Sequence, residues 1–288
     1  MIAYKHELYI RQAIESILSQ DVNFEIELVI GDDFSPDGTA AICEEFARRD
    51  KRVRLLSYER NLGPMPNFTR TLIECSGEYI ALCEGDDYWT DPQKLRKQVQ
   101  FLDENSDYAG AAHQANMIRD GVSLGSFKED VPNALTTNDL IQGRLFHTAS
   151  VIFRRRAVDL FIESPEVVSC DRLLNFCISF IGKIYYSPEC MCVYRLHIGG
   201  LSVTASIEQM KKDLLCVEYL TLVYPKFPKY KYLSYVYATI GLKKAARIDQ
   251  RIYFLLMSFI YSFSNFPNNI AIILIRLTRT VRGWKISQ

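Results

Sequence analysis

The sequence predicts an α/β fold, a mostly parallel sheet with flanking helices followed by a C-terminal helical appendage. Three observations predict it. Short apolar runs alternate with segments of helical period through the first hundred residues, the pattern of a parallel sheet with covering helices. Two of those runs end abruptly in acids, Asp32-Asp33 and Glu84-Gly85-Asp86-Asp87. From Ala205 the strand-like runs give way to long helical patterns, which places a domain boundary between residues 1–204 and 205–288.

Residues 1–4 read as the end of a strand whose beginning lies before Met1. Residues 6–20 carry Leu8, Ile10, Ala13, Ile14, Ile17 and Leu18 at helical spacing. Residues 26–30 form the second strand, and Ser35-Pro36-Asp37-Gly38 after it is turn chemistry. A helix over 40–49, a strand over 53–56 and a helix over 67–75 follow. The run 79–83 then breaks into the second acid cluster and re-enters a helix at Pro92. Residues 109–118, 149–153 and 183–194 read as further strands, 171–181 as a helix and 119–138 as a polar loop. Helical patterns cover 207–223, 230–247 and 251–263. Residues 270–282 mix apolar residues with Arg276, Arg279 and Arg282. The apolar runs there are too short to span a bilayer. They suit either a helical appendage packed on the main domain or an interfacial pair whose arginines face anionic lipid at the inner face of the membrane.

Composition narrows the function. Lysine plus arginine and aspartate plus glutamate both number 34, so the net charge is zero, which argues against a nucleic-acid partner for the chain as a whole. Eight cysteines without a CxxC pair resemble no zinc site. With no secretory signal at the start, they suggest a reduced, cytoplasmic setting.

Chemistry concentrates at Glu84, Asp86 and Asp87. Three carboxylates within four residues repel one another, and a chain tolerates that in solvent or around a cation. Ligands of open α/β sheets bind beyond the carboxyl ends of strands. Hard cations such as Mg²⁺ are held there by carboxylates and substrate phosphates. The cluster therefore reads as a metal–diphosphate site or as an acidic loop that caps a helix. A parallel sheet brings Asp32-Asp33 to the same edge.

The stretches IRQAIESILSQ, VIGDDFSPDGT, ERNLGPMPNFTRTL, GEYIALCEGDDYWTDPQKL and YRLHIGG, in this order, resemble a family 2 glycosyltransferase of the GT-A (Rossmann-like) type over residues 1 to about 200. The resemblance implies an inverting, hexosyltransferase-like enzyme. It would use a nucleotide-sugar donor, typically a UDP-sugar, with Mg²⁺ or Mn²⁺. The acceptor would be a saccharide or lipid-linked hydroxyl, and the setting bacterial surface-polysaccharide assembly. Ala3, Tyr4, Asp32, Asp33 and Asp86 match donor-nucleotide positions, with Asp33 on the base. The alternative for the Asp pair is that it only satisfies backbone N–H groups in its turn. Glu84, Asp86, Asp87 and His197 match metal positions, Asp86 and Asp87 ahead of Glu84, because many members have Asp where this chain has Glu84. Asp171 matches the base that deprotonates the acceptor; it also suits a helix N-terminus electrostatically, and Glu163 and Glu166 are nearby alternatives. Arg70, His147 and Thr148 are candidate diphosphate or acceptor contacts. Two departures stand out. Lys5 occupies a position where Asn is common. The first strand, central in such sheets, begins late, so a non-catalytic or impaired nucleotide- or sugar-binding protein is the rival expectation. A glycoside hydrolase would also need paired carboxylates, but not an Asp-Asp turn reading a base.

Overall fold

The computed structural model describes residues 1–56, 58–141, 143–197, 206–243 and 246–263. The chain divides into two compact units, Met1–Leu140 with Arg144–Thr204, and Ile141–Gly143 with Ala205–Gln288.

In the first unit, β1 (Ile2–Ala3), α1 (Ile10–Leu18), β2 (Leu28–Asp32), α2 (Thr39–Arg49), β3 (Val53–Leu56), α3 (Pro64–Ile73) and β4 (Tyr79–Ala81) follow the predicted alternation. β1, β2 and β3 make a fully parallel sheet in that order, Ile2 level with Gly31 and Leu28 with Val53. Helix α1 turns Ile10, Ala13, Ile14 and Ile17 into the core, the i, i+3, i+4, i+7 face its sequence prescribes. The Met1 amino group donates to Val29 O at 2.8 Å, and Gly85 N–H donates to Ile2 O at 2.9 Å. β1 is thus bonded to β2 on one side and to the acid loop on the other.

The chain continues through β5 (Tyr88–Trp89), α4 (Lys94–Glu104), β6 (Tyr108–Arg119), β7 (Val122–Ser126), β8 (Ala134–Leu135), α5 (Thr137–Leu140), a 3₁₀ turn at Thr148–Ser150, β9 (Ile152–Arg154), α6 (Ala157–Ile162), α7 (Cys170–Ile181) and β10 (Lys183–Arg195). β4, β9, β6, β10 and β5 form the second sheet in that order. Its spine is the long parallel pair β6–β10; β4–β9, β9–β6 and β5–β10 are antiparallel. The expected polar loop over 119–138 contains β7, β8 and the start of α5. β7 returns on β6 through Asp120 and Gly121, both at positive φ, the two-residue turn that an Asp-Gly pair favours. β5 and α6 had no sequence expectation: two residues and six are too short for periodicity to register.

Lys5 has φ +60. Asn reaches that left-handed region more cheaply than Lys, which gives the Asn commonly found there a backbone reason. The eight cysteines form no disulfide.

In the second unit, the pattern over 207–223 is three pieces, α8 (Ile207–Lys211), a 3₁₀ turn (Lys212–Leu214) and α9 (Cys216–Val223). α10 (Lys229–Gly241) and α11 (Ile248–Ser262) pack side by side, with Ser234 Oγ donating to Ser258 O at 2.9 Å. Residues 270–282, with Arg276, Arg279 and Arg282, lie outside the described residues. Among the described residues, no helix is long and apolar enough to cross a membrane.

Candidate active site

The acid loop is held from three directions. Leu82 N–H donates to Val151 O at 3.1 Å, Gly85 N–H reaches β1, and Thr90 N–H donates to Met191 O at 2.9 Å. A Cβ at Gly85 would lie 2.7 Å from Ile10 Cδ1 and 2.8 Å from His6 Nδ1, so only glycine lets the loop pass this close to His6. β5 pairs with the end of β10, Trp89 opposite Cys192. The end of β10 thereby delivers Arg195 and His197 onto the loop.

Asp86 meets two imidazoles. Its Oδ2 lies 2.8 Å from His197 Nε2 and 3.7 Å from His6 Nε2. Burial opposes ionisation of Asp86, but the His197 hydrogen bond and the two imidazoles outweigh it and hold the carboxyl below its usual range. The same hydrogen bond raises His197, while burial lowers His6. These three side chains offer one donor each, all within 4.8 Å of one another. Arg195 braces the loop: its N–H donates to Asp87 Oδ1 at 2.9 Å and its guanidinium to Asp86 O at 2.6 Å.

Asp87 turns the other way. Its Oδ2 lies 3.5 Å from His147 Nδ1, and with Glu84 these two form a second, more buried triad. Burial and the charges of Asp86 and Glu84 push Asp87 well above the usual carboxylate range. Burial, then Asp86 and Asp171, push Glu84 up to about 8. Glu84 therefore carries its proton at neutral pH, and its Oε2 is buried without a hydrogen-bond partner. Burial also drives His147 down to about 3; this neutral ring accepts from Ala149 N–H at 3.2 Å and stacks on Tyr194 with centroids 4.0 Å apart.

Asp171 stands in the first turn of α7. Its Oδ2 accepts from Thr148 Oγ1 at 3.4 Å and lies 3.7 Å from Arg144 NH1. The 3₁₀ turn carrying Thr148 is pinned from below: Trp89 Nε1 donates to Ala149 O at 2.8 Å and Gln98 Nε2 to Ser150 O at 2.9 Å. Helix α4 and β5 thus fix the turn that presents Thr148 to Asp171.

Asp32 and Asp33 are engaged differently. Asp33 Oδ1 accepts from Leu62 N–H at 2.7 Å and Oδ2 from Gly63 N–H at 2.9 Å, and its own N–H donates to Ala3 O at 2.9 Å. Burial raises the Asp33 carboxyl despite these bonds. Asp32 accepts from the Ser35 N–H at 3.0 Å and from its hydroxyl. The Tyr4 ring is exposed beside Lys5, whose Nζ sits 5.1 Å over it. Phe34, at φ +58, leaves its ring exposed next to Asp33.

The structure therefore brings Glu84, Asp86, Asp87, His147, Thr148, Asp171 and His197 into one connected network. Arg70 is not in it: its guanidinium stacks over Tyr58 at 4.4 Å. The arginines that join the network are Arg144 and Arg195. Arg195 had no expected role, and its one signal is that it stands in the same short motif, YRLHIGG, as His197. Arg144 and His6 carry no sequence signal beyond their residue type, since each arrives from a loop.

A family model described as glycosyl transferase family 2 matches residues 1–161. An uncharacterized Mycobacterium tuberculosis protein, Rv1520, is 36% identical over 214 residues, 73% of this chain and 61% of that protein. The chain thus spans about three-fifths of the length of its mycobacterial relatives. The Bacillus subtilis glycosyltransferase TuaG, provisionally assigned by name to teichuronic acid biosynthesis, is 28% identical over 203 residues, 69% of this chain and 79% of that protein. The solved structure of S. aureus TarS residues 1–349 in complex with UDP-GlcNAc superposes with a TM-score of 0.71 at 19% identity, covering 90% of this chain and 79% of that one. The alternating α/β frame is that of this solved structure, and the chain belongs to glycosyl transferase family 2.

Proposed function

We propose that the chain transfers a sugar from a UDP-sugar to a saccharide or lipid-linked acceptor hydroxyl, with inversion and with a divalent cation, in bacterial surface-polysaccharide biosynthesis. The observation that carries this reading is one network holding both a cation-type donor set, His6–Asp86–His197, and a carboxylate at a helix N-terminus, Asp171. The UDP-GlcNAc held by TarS supports the donor class, and the name of TuaG supports the polysaccharide setting.

Asp86, His6 and His197 would hold the ion through one carboxylate oxygen and two imidazole nitrogens, a mixed set that suits Mn²⁺ better than Mg²⁺, which prefers oxygen ligands alone. Such an ion would supply positive charge against the departing diphosphate. Asp33 keeps unused lone pairs beside its two backbone bonds, which suit the base N–H, and the rings of Tyr4 and Phe34 suit stacking. Asp87 braces the loop by accepting from the Arg195 N–H, and Glu84 lies buried beside it. Asp171, aimed by Thr148 and Arg144, takes the acceptor hydroxyl's proton as its oxygen attacks the anomeric carbon. The bond from that carbon to the diphosphate oxygen breaks, and UDP leaves with the electron pair.

Calorimetric titration of UDP with and without Mn²⁺ tests the reading. Mn²⁺ tightens UDP at least about tenfold, a difference of ~1.4 kcal/mol, and Asp86→Asn removes that gain. A chain that binds UDP under neither condition overturns the donor-site assignment.

A further inference from the structure

Helix α11 buries one face and leaves the other uncovered. Phe254, Met257 and Ile260 are buried, and the Phe254 ring stacks against Tyr237 of α10 with centroids 6.1 Å apart. On the opposite side Ile248, Ile252, Leu255, Leu256, Phe259 and Phe263 are exposed, Ile252 at 63% and Phe259 at 58%. At 3.6 residues per turn these six fall within about 100° of the circumference and run the length of the helix. Single exposed apolar residues are ordinary, but a continuous stripe marks a surface that something covers.

The sequence that carries the stripe and follows it is cationic. Residues 243–288 contain eight lysines and arginines and one acid, Asp249, a net +7 in a chain whose total is zero. Arg247 and Arg251 lie at the start of α11 itself. A second apolar protein face would match the stripe but not the excess of lysine and arginine in this part of the sequence. An anionic bilayer meets both features: the boundary between headgroups and acyl chains takes the apolar stripe, and the phosphates take the cations.

We propose that α11 docks in the plane of an anionic lipid surface through this stripe. The test is co-sedimentation of the full chain with vesicles of phosphatidylcholine alone and of phosphatidylcholine with phosphatidylglycerol. The chain pellets with the anionic vesicles, less with the neutral ones, and is partly released by added salt. L256E/F259E lowers the partition coefficient at least about tenfold, whereas Lys226→Glu, with the same charge change away from the stripe, lowers it less than about threefold. I252S/F259S, which adds no charge, also weakens pelleting. All variants keep the parent's far-UV circular dichroism and UDP affinity. Equal pelleting of L256E/F259E and parent overturns the proposal, as does a parent that pellets with neither vesicle. A parental dimer that L256E/F259E converts to monomer, with pelleting unchanged, assigns the stripe to a second copy and overturns it too.

Discussion

The two acid clusters look alike as sequence, each a carboxylate pair ending an apolar strand, yet they live under opposite electrostatic conditions. At Asp32–Asp33 the acids are met by donors. Leu62, Gly63 and Ser35 N–H groups and the Ser35 hydroxyl point at the two carboxylates. At Glu84–Asp87 the acids are met largely by one another and by imidazoles. Two of the three are pushed upward by burial and by neighbouring acids. The first cluster is a turn that organises itself and has lone pairs to spare. The second gathers negative charge that only a proton or a cation relieves. The same carboxylate pair after a strand thus becomes a turn with spare acceptors where backbone donors meet it, and a cation-type cluster where acids and imidazoles meet it instead.

Each prediction below tests that contrast, the largest effect first. Asp171→Asn removes the proton acceptor while preserving size, so sugar transfer falls about 10²–10⁴-fold with UDP affinity unchanged. Full activity in that variant would remove Asp171 from the mechanism. Next is the effect of a buried ammonium beneath the acid loop. Lys94 is fully buried, its Nζ 4.1 Å over Trp89 and donating to Gln98 Oε1 at 2.8 Å, and burial lowers it to about 8. Between that value and the unfolded value near 10.5, the unfolded chain binds more protons than the folded one, so stability rises with pH. Relative to Lys94→Met, the parent therefore gains about 3 kcal/mol as pH is raised through this window. Chemical denaturation of both across pH 7.5–10.5, roughly that window, measures the difference, and parallel curves would refute it.

A paired substitution addresses the clusters directly. Asp33→Asn turns an amide N–H toward a backbone N–H and costs about 1–2 kcal/mol of stability. Asp87→Asn keeps an acceptor for the Arg195 N–H while removing a carboxyl whose ionised form burial and Asp86 disfavour, and it raises stability by up to about 1 kcal/mol. Urea midpoints moving in the same direction for both would erase the distinction between turn and site. The smallest effect belongs to the turn alone. Lys5→Asn at φ +60 relieves left-handed strain and stabilises by about 0.5–1 kcal/mol, read as a rise in melting temperature.

Much of the frame was legible because it is periodic. The apolar face of α1 and the strand Val53–Leu56 appear where residue spacing puts them. The pieces that were not legible are short or aperiodic: β5, α6 and the β7 hairpin, although its Asp-Gly turn was visible. The candidate site divides in the same way. Asp86, Asp87, His197 and Asp171 stand in motifs, whereas His6 and Arg144 join them only through chain reversals that no local pattern encodes.

Sequence alone determined the alternation of elements, the edge of the sheet where acids gather and the residue types available there, because these follow from period and from strand direction. Tertiary structure decided which acids keep backbone donors and which do not. It turned Asp86 toward His6 and His197, and Asp87 toward His147. It also decided which face of α11 is left uncovered. The physical reason is shared: burial and the identity of the nearest partner set the cost of a charge or an apolar surface, and both depend on segments distant in the chain.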